Sequence, residues 1–136
     1  MELIRTDTDY AMRILVHLAR TGNKQPVGAR VLAKAQAIPE SFAYKILQRL
    51  TRARITDRYM GPAGGFKLAL EPERITLLQV AEAVQGPVLV RDCVLGEDAC
   101  SRRPTCSISA RLSKLQKEFA DLLTGVTLAE VLATTL

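Results

Sequence analysis

Residues 29–67 read ARVLAKAQAIPESFAYKILQRLTRARITDRYMGPAGGFK, and the fold turns on this stretch. A short helix is expected over about residues 29–36, then a break at Ala37, Ile38 and Pro39, then another helix reaching about Arg54. Pro39 suits a first helical position, where its missing N–H would be unpaired anyway. Two short helices joined by so brief a turn match a helix-turn-helix. The runs ITDRYM and FKLAL that follow are strand-like. Between them Gly61, Pro62, Ala63, Gly64 and Gly65 form a turn whose glycines allow positive φ, so a β-hairpin wing is expected. No Lys-Ser/Thr pair follows that turn and no parallel-strand pattern surrounds it, which excludes a nucleotide loop.

On the N-terminal side, Thr6 and Asp9 have capping-box spacing, and Ala11, Ile14, Leu15 and Leu18 recur at helical period, giving a first helix over about residues 7–21. On the C-terminal side, Thr76 and Gln79 form another capping box and open a helix carrying Leu77, Leu78, Ala81 and Val84 that stops near Gly86. Ile108, Leu112, Leu115, Phe119 and Leu122 follow at intervals of 4, 3, 4 and 3, the spacing of a coiled-coil seam, within a helix over about residues 107–124. Only about two heptads are present, so the stripe either packs on its own domain or pairs with the same helix of a second subunit; pairing is the preferred reading. Gly125 ends that helix, and Thr127 with Glu130 starts a last short one. The expected fold class is mainly α with a small β-hairpin wing, a winged helix-turn-helix followed by a long dimerisation helix.

Charge divides the chain unevenly. Residues up to Lys67 hold 12 basic and 5 acidic side chains, and the remainder 7 and 9, so the two halves carry +7 and −2 of the net +5. That asymmetry favours a polyanion as partner of the N-terminal half. Projected at about 100° per residue, the helix after Pro39 puts Phe42, Ala43, Ile46, Leu47 and Leu50 on one side and Ser41, Tyr44, Lys45, Gln48 and Arg52 on the other. The second set holds hydroxyl, amide and cationic groups, which hydrogen-bond base edges and phosphates in a major groove. Arg54, Arg58 and Lys67 flank the wing and could meet phosphates or an adjacent minor groove. A solvated helix face would carry similar groups, with more Glu.

The chain's three cysteines, Cys93, Cys100 and Cys106, fall within CVLGEDACSRRPTC, a loop-like segment. Such crowding asks for a thiolate-bound metal or a redox switch. Structural zinc sites favour intervals of about two to four residues and four ligands, whereas these intervals are six and five with one ligand missing. Arg91, Arg102 and Arg103 lie close by and give the cationic surroundings of reactive thiols, so a purely thiol-based switch stays open. Met1 to Thr8 lacks a secretory signal and no run of 18 apolar residues exists, so a cytoplasmic protein without membrane association is expected. One histidine, His17, and no nucleophile–base pair argue against an enzyme.

With these features placed, the chain resembles the Rrf-two family of bacterial winged helix-turn-helix transcription regulators over nearly its whole length. The likeness lies in TDYAMRILVHLA, IPESFAYKILQRL, GPAGGFKLA, ITLLQVAEAV, the three cysteines and GVTLAEVL. The resemblance implies a homodimeric regulator of promoter DNA, most often a repressor, whose long helices cross. It also implies an iron-sulfur cluster, two-iron or four-iron, held by Cys93, Cys100 and Cys106 of each subunit and sensing redox state, nitric oxide or iron status. Two departures stand out: Met60 occupies the place of the family's wing arginine, and the first cysteine interval is one residue longer. IscR-like members take a further ligand from a His three residues after the last cysteine, where this chain has Ser109; NsrR-like members take an Asp of the other subunit, matched here by Asp9.

The expected organisation is a DNA-binding domain over residues 1–87, a cluster-binding loop over 88–106, and a dimerisation helix with the C-terminal helix over 107–136. The expected DNA-contacting residues are Ser41, Tyr44, Lys45, Gln48, Arg52, Arg58, Gly64 and Gly65. A thiol- or zinc-based regulator without a cluster is the alternative, and a small iron-sulfur electron carrier is the alternative from another class. A winged-helix protein-interaction module would be a further one.

Overall fold

In the computed structural model, residues 2–21, 24–95 and 100–134 are described, apart from the side chains of Cys93 and Leu95. The apolar period of the first segment forms α1 (Thr6–Arg20), which buries Ala11, Ile14, Leu15 and Leu18. The capping box expected at Thr6 does not form, because the helix already begins at that residue and Arg5 before it makes no side-chain cap. Gln85 does that work from far along the chain: its Oε1 accepts from the Arg5 N–H at 3.0 Å and the Thr8 hydroxyl at 2.7 Å.

The helix-turn-helix is α2 (Ala29–Gln36) and α3 (Glu40–Arg52). Ala37 between them is left-handed, with φ 53°. Its N–H donates to the Lys34 carbonyl at 3.3 Å and that of Ile38 to the Ala33 carbonyl at 2.9 Å, closing α2 in the Schellman manner without a glycine. Pro39 precedes α3 as its cap instead of opening it, and its carbonyl accepts from Phe42 and Ala43. The same device ends α3, where Arg54 has φ 62° and the Ile55 N–H reaches the Leu50 carbonyl at 2.9 Å.

The wing is β1 (Thr56–Tyr59) paired antiparallel with β2 (Gly65–Leu68), in register from Thr56 opposite Leu68 to Tyr59 opposite Gly65. Val27, just before α2, adds an antiparallel bridge to Phe66 through bonds of 3.0 and 2.8 Å. Next come α4 (Leu77–Gln85), α5 (Ser107–Gly125) and α6 (Leu128–Ala133). Both expected capping boxes, Thr76 with Gln79 and Thr127 with Glu130, are formed. They lie side by side: the Leu77 N–H donates to the Val126 carbonyl and the Leu128 N–H to the Ile75 carbonyl, each at 2.8 Å.

The main core joins α1, α2, α3, the wing and α4 around Ile14, Leu15, Leu32, Ile46, Leu47 and Leu50, and Leu128 of α6 is part of it. A smaller cluster of Ala81, Val88 and Leu123, flanked by Phe119, seats α5 on α4. Among the described residues no helix is long and apolar enough to cross a membrane.

Candidate nucleic-acid interface and cysteine segment

The buried face of α3 is Ala43, Ile46, Leu47 and Leu50, so the helix can turn only its other side outward. Ser41, Lys45, Gln48 and Arg52 are exposed there and Tyr44 is half-buried. Tyr44 and Arg58 meet: the Arg58 guanidinium lies over the Tyr44 ring at 5.6 Å, joining wing to helix by a cation–π contact. On the wing itself, Lys67 sits over Tyr59 at the same 5.6 Å.

Gly64 and Gly65 are placed by backbone contact. A Cβ on Gly64 would stand 2.2 Å from the Tyr59 carbonyl oxygen, and one on Gly65 would stand 2.4 Å from the Val27 carbonyl carbon. Gly65 also has φ 147°, a value that disfavours a side chain. The two glycines therefore hold the shape of the turn and its approach to Val27.

Sequence reading missed Arg49, which faces neither wing nor solvent alone. Its Nη1 donates to the Val84 carbonyl at 2.7 Å and lies 3.8 Å from Oδ2 of the buried Asp7, tying α3 to α4 and α1. An arginine one position from the core stripe carries no signal of this in sequence, since both partners are remote. The Nδ1 of His17 accepts from Gln36 Nε2 at 3.3 Å.

In the cysteine segment, the backbone of Cys93 belongs to a 3₁₀ turn over Asp92–Leu95, but its side chain lies outside the described residues. Cys100 precedes a second 3₁₀ turn over Arg103–Thr105, and Cys106 is the residue from which α5 starts. Both are free thiols, half-buried, in the wall of a cavity of about 420 Å³ with Arg91, Arg102, Arg103, Ile108, Ser109 and Leu112. Gln116 of α5 holds the approach to this segment, Oε1 accepting from the Val90 N–H and Nε2 donating to the Val88 carbonyl, each at 2.8 Å.

The expectation of an iron-sulfur cluster is corrected by this arrangement. Among the described residues no three His, Cys, Asp or Glu side chains come together so as to hold a metal ion. Clusters usually require four ligands. Beside Cys100 and Cys106 stand cations and apolar groups instead, and the Ser109 hydroxyl is committed to the Arg103 carbonyl at 3.3 Å. Asp9, expected to reach the cluster of a partner subunit, is paired with Arg13 at 3.0 Å in the wall of a groove with His17 and Arg20. Crowding of cysteines in sequence counted donors without counting what separates them. A small iron-sulfur electron carrier loses its basis together with the cluster.

Comparison with known proteins bears on the whole chain. The family model described as Rrf2, iron-dependent transcriptional regulator, matches residues 4–134. Protein aau3 of Rhizobium meliloti is 32% identical over 127 residues, covering 91% of this chain and 80% of the relative. The HTH-type transcriptional repressor NsrR of Streptomyces coelicolor is 28% identical over 128 residues, covering 93% and 85%. Among solved structures, CymR, the global cysteine regulator of B. subtilis, superposes with a TM-score of 0.76 at 21% identity over 99% of both chains, a likeness of fold.

Proposed function

The chain belongs to the Rrf2 family of transcription regulators, and from that premise we propose that it reads promoter DNA as a homodimer, most plainly as a repressor, under the control of its thiols. Family members are regulators and the chain is not an enzyme. In this reading residues 1–87 bind DNA, 88–106 are the control segment, and 107–136 supply the dimer helix and the closing helix; the protein acts in the cytoplasm, where its DNA is. Ser41, Tyr44, Lys45, Gln48 and Arg52 enter the major groove, and Arg58 with the turn at Gly64 and Gly65 brings the wing alongside. The observation that carries the reading is that the polar groups of α3 share one outward stripe, with Arg58 stacked on it through Tyr44.

Control by thiols is supported by the cavity in which Cys100 and Cys106 sit among three arginines, at the start of the helix that would form the dimer. Oxidation by hydrogen peroxide transfers one oxygen to a cysteine sulfur, giving a sulfenic acid, and releases one water. A polar group added there displaces α5 and with it the separation of the two recognition helices, which a two-fold reader must hold about 34 Å apart.

The test uses the full chain and duplexes that it selects from a randomised library. Lys45→Ala and Gln48→Ala are each expected to weaken binding by roughly tenfold or more, and the lysine change to reduce the log–log salt slope by about 0.9. Peroxide is expected to alter the affinity of the wild type and not that of a Cys100→Ser, Cys106→Ser protein. Unchanged DNA affinity in both α3 variants would refute the assigned interface; equal peroxide sensitivity in the double serine variant would refute the thiol control.

A further inference from the structure

From Tyr59 to Phe66 the wing reads YMGPAGGF and carries no charge, although it lies in the basic half of the chain. The hairpin's two cations are both turned onto rings, Arg58 over Tyr44 and Lys67 over Tyr59. What projects is Met60, 79% exposed, the most exposed large apolar side chain among the described residues. Pro62 beside it is exposed as well.

A single surface methionine needs no explanation in general, but the position of this one does. The Arg58–Tyr44 contact fixes β1 beside the outward face of α3. At about 3.3 Å per residue, Met60 then stands roughly 7 Å farther out along the hairpin. With α3 in a major groove about 12 Å wide, a tip reaching past the helix crosses the phosphate ridge and meets the adjoining minor groove. An uncharged tip offers phosphates only its backbone N–H groups and leaves the Met60 side chain without a partner there. Met and Pro, however, are side chains that proteins push between base steps from the minor groove, partly unstacking them and kinking the duplex. The turn behind Met60 is tight: Gly61 has φ 99°, and a Cβ at Gly64 would strike the Tyr59 carbonyl.

We propose that Met60 is a specificity-determining wedge, inserted from the minor groove beside each recognition helix, so that the protein selects flanking steps that unstack easily. This rests on the DNA-reading function above. Duplexes selected by the full-length wild type serve as probe, with affinity, salt slope and bending by end-to-end energy transfer as readouts. Met60→Ala is expected to lose roughly tenfold in affinity, keep the wild-type salt slope, bend the duplex less, and select sites without flanking TA or CA/TG steps, the flexible steps in DNA. Met60→Arg is expected to steepen the slope by about 0.9 and to shift the flanking preference to A-tracts with a narrow minor groove. If Met60→Ala binds and bends like the wild type while Lys45→Ala loses binding, the wedge is wrong and the DNA-reading function stands. If the wild type selects no sequence at all, both fall together.

Discussion

At Gly65 a single methyl group would push the wing against the backbone before α2. Its Cβ would lie 2.4 and 2.5 Å from the carbonyl carbon and oxygen of Val27, and 2.7 Å from the Gly28 nitrogen, all backbone atoms that cannot rotate away. Gly65→Ala is therefore expected to destabilise the protein by about 1–3 kcal/mol, read as a lower urea midpoint. Gly125 makes the contrast, because nothing lies within 4 Å of a Cβ there and no positive φ is involved. Gly125→Ala should gain about 0.4–1 kcal/mol by restricting the unfolded chain, and a midpoint that fell for both, or for neither, would contradict the geometry. The sequence made the turn legible as a cluster of glycines. It could not say which glycine was obligatory, because the obstacle at Gly65 is a bridge from Val27. Nor could it mark Ala37 or Arg54, which adopt left-handed backbone without the residue that usually announces it.

Elements are held to one another here by side-chain amides that bond to backbone. Gln85, the last residue of α4, takes the Arg5 N–H and the Thr8 hydroxyl on its oxygen and gives its nitrogen to the Leu3 carbonyl at 2.9 Å, so three bonds fasten the start of α1 to the end of α4. Thr8 is fully buried, and without Gln85 its hydroxyl would lose this partner. Gln85→Ala is expected to cost about 1–3 kcal/mol, more than the roughly 1 kcal/mol of an ordinary capping loss such as Thr127→Ala. Equilibrium unfolding of the two variants checks this, and equal losses would mean that the amide is only decorative. The contrast also explains what could be read in advance. The boxes at Thr76 and Thr127 are local, with both partners three residues apart, and were legible. The start of α1 was misread because its cap lies 80 residues from Arg5.

Across the whole molecule, α5 serves two faces at once. Of the stripe read from sequence, Phe119 turns inward with Leu123 onto the cluster of Ala81 and Val88. Ile108, Leu115 and Leu122 remain 66%, 52% and 69% exposed, three of the large apolar side chains left uncovered among the described residues. The spacing alone could not divide the stripe, since packing on the chain's own domain and pairing with a second copy require the same period. Ile108 and Leu112 also line the cavity of Cys100 and Cys106, so the proposed control segment and the proposed dimer face share side chains. At the far end α6 returns to the DNA-binding core through Leu128. That helix in turn packs against α1. If the stripe is the dimer face, Leu115→Glu with Leu122→Glu should yield a monomer by sedimentation velocity while leaving thermal unfolding of the protomer's fold cooperative, because neither side chain belongs to a core cluster. The monomer would present one recognition helix, so binding to a two-fold site should fall by at least about a hundredfold, the gain that linking two modules commonly gives. A double variant that still sediments as a dimer would place the subunit contact elsewhere and break the link drawn here between the cysteines and the spacing of the recognition helices.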